Sequence, residues 1–171
     1  MSFDAQTQTL DLAVCTFSNG PGAKWINNVN MGDDVYFMKH SSNLIIHDDA
    51  ADAVMIGDIT ALGHFYGLRR LFRNQNRVSG FIFGQNQADF FPDIDGHSPF
   101  EFITTSPQQY QTVISSVEAS LPQPTNNTTI YVAGDGEMCK LLHKHLKDEL
   151  GWNSKQIRAK PFWIHGKKGL E

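Results

Sequence analysis

Cysteine is scarce in this sequence, with only 2 among 171 residues, and neither Cys15 nor Cys139 belongs to a Cys-x-x-Cys pair or a Cys and His set at zinc spacing. This pattern disfavours a disulfide framework and a zinc site, so we expect two reduced thiols and no bound metal. Long apolar runs are also missing, since none approaches the ~20 residues of a membrane span, and the start lacks the pattern of a signal peptide. The sequence therefore predicts a cytoplasmic protein with no membrane partner.

An excess of positive charge is absent as well, because 14 Lys and Arg residues stand against 18 Asp and Glu residues and the formal net charge is −4. A mildly acidic chain does not attract nucleic acid through bulk charge, so no such partner is expected. The chain does have a hydrophobic share of 40% and a length of 171 residues, which suffice for a folded core. One domain, or one domain with a fragment of a second, is the simplest interpretation.

Strands and helices alternate from Asp52 onward. The run AVMIG at 53–57 is short and continuously apolar, which is typical of a strand buried on both faces of a sheet. Successive strand and helix units imply right-handed crossovers and a mostly parallel sheet. We therefore predict an α/β fold, a five-stranded, parallel, Rossmann-like sheet with flanking helices. The other four strands are expected within VSGFIFG at 78–84, FEFITT at 100–105, IYVA at 130–133 and IRAKPFWI at 157–164.

Local signals mark the helix ends and a smaller N-terminal unit. Ser106 is expected to cap a helix whose first turn holds Pro107, and Gly151 is expected to end the last helix in a left-handed conformation. The upstream part of the chain predicts a small β-α-β unit. Its elements are a strand from Leu10, a short helix from Pro21 and a strand within DDVYFM at 33–38.

Two strands of the predicted sheet end in nearly the same turn, Gly57-Asp58 and Gly134-Asp135-Gly136. Ligands of such sheets bind at the carboxyl ends of the strands, and glycine allows a ligand or another backbone to approach closely. A carboxylate repels a diphosphate, so the two aspartates are better interpreted as helix caps or as acceptors for ribose hydroxyls. A single turn of this kind is also ordinary turn chemistry, whereas two of them favour a nucleotide site.

The best-known nucleotide signatures are missing. No Gly-x-Gly-x-x-Gly follows the first strand of a unit, and no Gly-Lys-Ser/Thr phosphate loop is present. These absences disfavour an ordinary Rossmann dehydrogenase and a P-loop enzyme.

Five short motifs, taken in order, resemble the siderophore-interacting, FAD-binding branch of the ferredoxin reductase superfamily. The resemblance runs from about Leu10 almost to the C-terminus, and the order and spacing of the motifs are more specific than any one of them. The motifs are NGPGAKW at 19–25, GDDV at 32–35, GDITAL at 57–62, VAGD at 132–135 and PFWIHG at 161–166.

This resemblance implies a two-part reductase. Residues 1–46 are then the C-terminal remnant of an FAD-binding barrel, and residues 47–171 are an NAD(P)H-binding domain of the ferredoxin reductase type. NAD(P)H passes a hydride to FAD, and the flavin reduces the Fe(III) of a ferric siderophore so that Fe(II) is released. No arginine follows the strand FIFG at 81–84, where a 2′-phosphate would need a partner, and this favours NADH over NADPH.

The resemblance also implies site residues, although no side chain is implied as a catalytic acid or base. Trp163 is expected to stack on a flavin or nicotinamide ring, or to form an apolar lid over the sheet. The cofactor-binding residues implied are Gly20, Gly22, Ala23, Lys24, Trp25, Gly57, Asp58, Thr60, Ala61, Gly134, Asp135, Gly136 and Trp163. The substrate-binding residues implied are His165, Lys167 and Lys168, which alternatively form a solvated basic tail.

The sequence departs from the family pattern mainly at its start. Family members carry an Arg-x-Tyr-Thr type motif that grips the flavin, whereas this chain begins MSFDAQTQT and lacks most of the barrel. Ala23 also stands where the family often has a serine that binds the FAD diphosphate. We therefore expect either a chain that is inactive alone, or a second chain that supplies the barrel. The alternative is a non-catalytic nucleotide-binding or docking module. Further departures are Ile59, Gly63, Phe162 and Ile164.

Overall fold

The protein is described by a computed structural model in which the chain divides into two compact units, Met1–Ile45 and Ile46–Glu171. The assignment of the first unit to a flavin-binding barrel stays a prediction. Across the described part of the chain, no helix combines the length and apolar character needed to cross a bilayer. The residues described are 2–12, 14, 16, 20–36, 52–72, 74, 77–106 and 109–167.

The first unit contains a small antiparallel pair and one short helix. Strand β1 (Ser2–Asp4) pairs with β2 (Thr9–Asp11), and the carboxylate of Asp4 accepts a hydrogen bond from the Gln6 amide at 2.8 Å in the turn between them. Helix α1 (Pro21–Ile26) begins with proline in its first turn, as predicted.

The two strands expected in this unit, one from Leu10 and one within DDVYFM at 33–38, do not form as predicted in the described residues. The strand expected from Leu10 ends at Asp11, and residues 33–36, the described part of the strand expected within DDVYFM, contain no strand. Asp33 instead closes a turn, since its amide donates to the Asn30 carbonyl at 3.1 Å and its carboxylate accepts from the Asn30 amide at 2.7 Å. These local hydrogen bonds compete with strand pairing.

The second unit is built on the predicted five-stranded parallel sheet. The spatial order is β5-β4-β3-β6-β7, so the chain enters at the centre, moves to one edge and returns to place β6 beside β3. Every residue of β6 is buried, as is typical of a central strand covered on both faces. The strands are β3 (Asp52–Asp58), β4 (Val78–Gly84), β5 (Phe100–Thr104), β6 (Thr128–Asp135) and β7 (Ile157–Trp163).

Helices cover both faces of this sheet. Helix α2 (Leu62–Arg69) packs on one face, where the Phe65 ring lies 6.1 Å from that of Phe100. Helices α3 (Tyr110–Ser120) and α4 (Gly136–Asp148) cover the other face. Their buried side chains form one core with the alternate residues of β3, β4 and β6. The helical members of that core are Val113, Ile114, Val117, Met138, Cys139, Leu142 and Leu146.

One predicted helix end is correct and one is wrong. Gly151 adopts a φ of +73° just after α4, and the Trp152 amide donates to the Leu146 carbonyl at 2.9 Å, which matches the predicted left-handed ending. Helix α3, however, begins at Tyr110 rather than after Ser106, with Gln109 before it. Strand pairing continues past β5 and overrides the local cap, because the Thr105 amide donates to the Gly84 carbonyl at 2.8 Å. Pro107 lies outside the described residues.

Candidate functional site

The two Gly-Asp turns lie side by side at the carboxyl ends of β3 and β6. These strands are neighbours in parallel register, with Gly57 opposite Ala133. Strand β7 continues the same edge on the far side of β6, and Trp163 pairs with Asp135 across a local irregularity. We call the tips of β3, β6 and β7, with Asp58, Asp135 and Trp163, the carboxyl edge. The chain reverses its winding direction between β3 and β6, which is where open α/β sheets bind ligands.

Asp58 is the centre of the carboxyl edge. Its Oδ1 accepts hydrogen bonds from the Thr60 amide at 2.8 Å and from the Thr60 hydroxyl. Its Oδ2 accepts from the Asp135 amide at 2.6 Å and from Nε1 of Trp163 at 3.1 Å. Burial raises the pKa of Asp58, although each of these hydrogen bonds acts in the opposite direction. One carboxylate thus joins the ends of β3, β6 and β7.

Asp135 has a more local role. Its Oδ1 accepts from the Glu137 amide at 3.1 Å and caps α4, while its Oδ2 accepts from the Tyr110 hydroxyl at 2.8 Å. Burial raises the pKa of Tyr110 to about 12, and the hydrogen bond to Asp135 adds to the effect. The predicted helix-cap interpretation of Asp58 and Asp135 is therefore confirmed.

The glycines of these turns admit the chain's own atoms. Gly134 has a φ of +115°, and a Cβ there would lie 2.6 Å from Cγ of Asp58. A Cβ on Gly57 would lie 2.8 Å from Cβ of Ala61 and 2.9 Å from the ring of Phe65. At these positions glycine therefore permits close packing within the protein.

The surroundings of the two carboxylates are neutral or acidic. Within residues 52–72, 77–106 and 109–167, no salt bridge joins Asp58 or Asp135 to a basic side chain. Cys139 lies close by on α4, and burial together with the charges of both aspartates raises the pKa of its thiol to about 12. Neutral N–H and O–H groups therefore hold the charge at this edge.

These contacts decide how the edge fits a dinucleotide. A diphosphate needs free backbone amides at the strand tips. Here the amides of Thr60, Asp135 and Glu137 already donate to the carboxylates of Asp58 and Asp135. The arrangement does not fit a diphosphate at the tips of β3 and β6.

The residues expected to hold a flavin all lie in or just before α1. Ala23 is buried, whereas Trp25 is 41% exposed and the α-carbon of Gly22 faces open space. Lys24 is exposed in the last turn of the helix. Lys24 and Trp25 face an open groove in the first unit. The groove is lined by Pro21, Lys24, Trp25, Asn28, Val29, Asp33 and Asp34.

The basic residues expected to bind substrate follow β7. His165 and Lys167 are exposed, and the Lys167 amide donates to the Ile164 carbonyl at 3.1 Å in a turn. Lys168 lies outside the described residues. Trp163 is only partly buried, and its indole N–H is directed to Asp58.

Two residues near the edge were missed by sequence reasoning. Tyr110 reaches Asp135 because α3 packs beside α4, and only the sheet order reveals that proximity. His64 lies on α2 with its ring 5.3 Å from that of Phe162, edge-on. Burial lowers the pKa of His64, with a smaller effect from the Lys160 charge. The available signal for His64 was its place at the start of the helix after β3.

The fold is similar to that of several solved structures. The siderophore-interacting protein SipS from Aeromonas hydrophila matches with a TM-score of 0.63 and 20% identity over 85% of this chain and 63% of that chain. A siderophore utilization protein from T. fusca matches with a TM-score of 0.72 and 18% identity over 99% of this chain and 66% of that chain. A ferredoxin NADP+ reductase from Neisseria gonorrhoeae, with bound FAD and NADP, matches with a TM-score of 0.60 and 16% identity over 85% of this chain and 71% of that chain.

Sequence comparison identifies the family. This chain spans less than two thirds of the two siderophore proteins, and no curated protein matches it in sequence. The model of the family described as "Siderophore-interacting protein" matches residues 50–166, which is more than half of the chain. That range contains the whole parallel sheet and the carboxyl edge. The chain belongs to the siderophore-interacting protein family.

Proposed function

We propose that this chain is part of an FAD-dependent NAD(P)H oxidoreductase that reduces the ferric iron of a siderophore and releases Fe(II). The observation that carries the proposal is the family match over residues 50–166, which coincides with a parallel sheet whose central strands end together. A structure of the same fold is a ferredoxin NADP+ reductase with bound FAD and NADP, which supports an oxidoreductase.

In this proposal FAD is held by the first unit. The exposed ammonium group of Lys24 is suited to a phosphate, and the half-exposed indole of Trp25 offers a ring face to an aromatic group. Bound FAD would supply the redox chemistry, because a flavin accepts a hydride and releases electrons one at a time. The residues proposed to contact it are Gly20, Gly22, Ala23, Lys24 and Trp25.

The reducing substrate in this proposal is NAD(P)H. NADH is favoured, because no arginine follows β4, where GQNQ stands at 84–87. Since the Thr60 and Asp135 amides are engaged, the carboxyl edge is suited to the ribose or nicotinamide part rather than to the diphosphate. The residues proposed to line this contact are Gly57, Asp58, Thr60, Ala61, Gly134, Asp135, Gly136 and Trp163.

The electron acceptor proposed is an anionic ferric siderophore. His165 and Lys167 are exposed beyond β7, and with Lys168 they would attract an anionic chelate and donate charge-assisted hydrogen bonds to it. No acid or base residue is assigned, since neither hydride transfer nor electron transfer to iron requires one.

A second candidate is a non-catalytic nucleotide-binding or docking module. One observation favours it: the amides at the carboxyl edge are internally bonded. A partner chain that supplies the rest of a flavin barrel would reconcile this candidate with the first.

Flavin separates the two candidates. The purified chain would be mixed with FAD and NADH under anaerobic conditions, and ferric citrate, an anionic chelate, would be added with a chromogenic Fe(II) chelator. The reductase proposal expects quenching of flavin fluorescence on binding, and Fe(II) formation that requires both FAD and NADH. Trp25→Ala should weaken flavin binding, whereas Met31→Ala, a fully exposed residue of the same unit, should not. A chain that binds no flavin and oxidises no NADH would support the docking module instead.

A further inference from the structure

The carboxylate of Asp58 occupies the position where this fold would receive the anion of a ligand. Four N–H or O–H groups converge on it, from the Thr60 amide and hydroxyl, the Asp135 amide and the Trp163 indole. They come from the turn after β3, from β6 and from β7. Neutral donors at strand tips and helix starts are how α/β sheets bind phosphate.

The space for this carboxylate is provided by Gly134. A side chain there would collide with Asp58, since its Cβ would lie 2.6 Å from Cγ and closer still to Oδ2. The φ of +115° at Gly134 also directs the following Asp135 amide into the bond with Oδ2 at 2.6 Å. Residues that are far apart in the sequence of the second unit thus contact one buried carboxylate.

The charge itself is internal and uncompensated by a cation. Asp58 is 7% exposed, and over the described ranges of the second unit it forms no ion pair. A ligand anion entering the same space would meet both a filled volume and a negative charge. Exclusion therefore has a steric and an electrostatic part.

We propose that Asp58 is a specificity-determining residue that fills the anion site of the carboxyl edge, so that the chain does not bind the diphosphate of a dinucleotide between β3 and β6. This inference rests on the proposed function only in taking a dinucleotide as the ligand. If NAD(P)H is the reductant, the carboxyl edge must hold it through its nicotinamide or ribose groups. The shared chemistry of the excluded ligands is a diphosphate.

The test is the affinity of inorganic pyrophosphate, measured by titration calorimetry. Asp58→Ser keeps a short hydroxyl that can cap Thr60, but it removes the charge and vacates the space beside the Asp135 amide and the Trp163 indole. Asp58→Asn removes the charge and keeps the volume. Asp52→Asn, at the opposite end of β3 where Asp52 pairs with Arg77, is the matched control.

We expect Asp58→Ser to bind pyrophosphate at least about tenfold more tightly than the wild-type chain and than Asp58→Asn, with the control unchanged. Wild-type binding equal to that of the serine variant would overturn the proposal. Equal gains in both Asp58 variants would also overturn it, because occupancy would then not matter, and so would the absence of binding in a folded serine variant.

A second measurement covers the case in which Asp58→Ser does not fold. In wild-type protein, the indole 1H–15N resonance of Trp163 should not move when inorganic pyrophosphate is added, whereas a shift that saturates with pyrophosphate would show an anion beside the indole and contradict the proposal. Pyrophosphate is not a redox substrate, so these results stand apart from the reductase assay. A failure of that assay would count against the proposed function and leave this comparison intact.

Discussion

The two Gly-Asp turns of the parallel sheet are alike in sequence and different in what they hold together. Asp135 caps the helix that follows it and accepts one long-range bond from Tyr110. Asp58 caps its own short 3-10 helix and also binds β6 and β7 through the Asp135 amide and the Trp163 indole. The same Gly-Asp dipeptide therefore acts mainly as a helix cap at the end of β6, whereas at the end of β3 its aspartate joins three strands.

The largest effect that would break this comparison is expected at Gly134. Gly134→Ala forces a side chain into a φ of +115° and into the Asp58 carboxylate, so we expect a loss of unfolding free energy of roughly 3 kcal/mol or more. Urea denaturation measures it. The control is Gly67→Ala on α2, where a Cβ meets open space and should stabilise by about 0.5–1 kcal/mol. A loss below about 1 kcal/mol at Gly134 would mean that Asp58 does not lie against it.

The next effect compares the two carboxylates directly. Asp58→Ala leaves the buried Asp135 amide, the partly buried Trp163 indole N–H and the Thr60 amide without an acceptor, so we expect destabilisation of about 3 kcal/mol. Asp135→Ala removes one helix cap and the Tyr110 contact, so about 1–2 kcal/mol is expected. The same denaturation series measures both variants. Equal losses would show that Asp58 has no role beyond a local cap.

A smaller effect on stability is expected from His64, which lies beside the carboxyl edge, and it should depend on pH. Because the folded-state pKa of His64 is lowered, folding favours its neutral form, and the contribution of His64 to stability is lost as pH falls below about 6.5, the value in the unfolded chain. The wild-type chain should therefore lose more stability than His64→Gln between pH 7 and 5. Thermal unfolding at several pH values measures the difference, with the exposed His165→Gln as control. Parallel pH profiles for wild type and His64→Gln would refute the buried environment of His64.

The smallest effect sharpens the picture of the acidic surroundings. Cys139 is buried and the pKa of its thiol is raised to about 12, so a Cys15→Ser variant should not react with an aromatic disulfide reagent at pH 8 until it is unfolded. In the same background, Asp58→Asn should lower the pKa of the Cys139 thiol slightly, because one of the charges that raise this pKa is gone. Rapid labelling of the folded chain would contradict the placement of Cys139 in the core.

Much of the second unit could be predicted from sequence because its signals are local. A continuous apolar run marked β3, the alternation of strand and helix patterns marked the other four strands, and Gly151 marked the end of α4. The predicted start of α3 at Ser106 was wrong because Thr105 still pairs with Gly84, a contact that no local pattern encodes. The first unit was harder, since the turn at Asp33 replaced the start of a strand.

The candidate site was predictable in its position and not in its internal contacts. The turns that begin at Gly57 and Gly134 were correctly expected to end strands, and parallel strands bring such ends to one edge. The bond from Trp163 to Asp58 joins residues 105 positions apart and depends on the sheet order β3-β6-β7. Gly134 therefore makes room for the Asp58 carboxylate, whereas Gly57 permits close packing against Ala61 and Phe65.

The most direct test is the rate of hydrogen exchange with solvent at the Trp163 indole N–H. The rate is followed by 1H–15N spectroscopy, and the resonance is assigned through Trp163→Phe. The account predicts a resonance that is protected from exchange in the wild-type chain and loses its protection in Asp58→Ala, while Asp135→Ala leaves it protected. An indole N–H that exchanges freely in the wild-type chain, or keeps its protection without Asp58, would contradict the joining of β3 and β7 by one carboxylate.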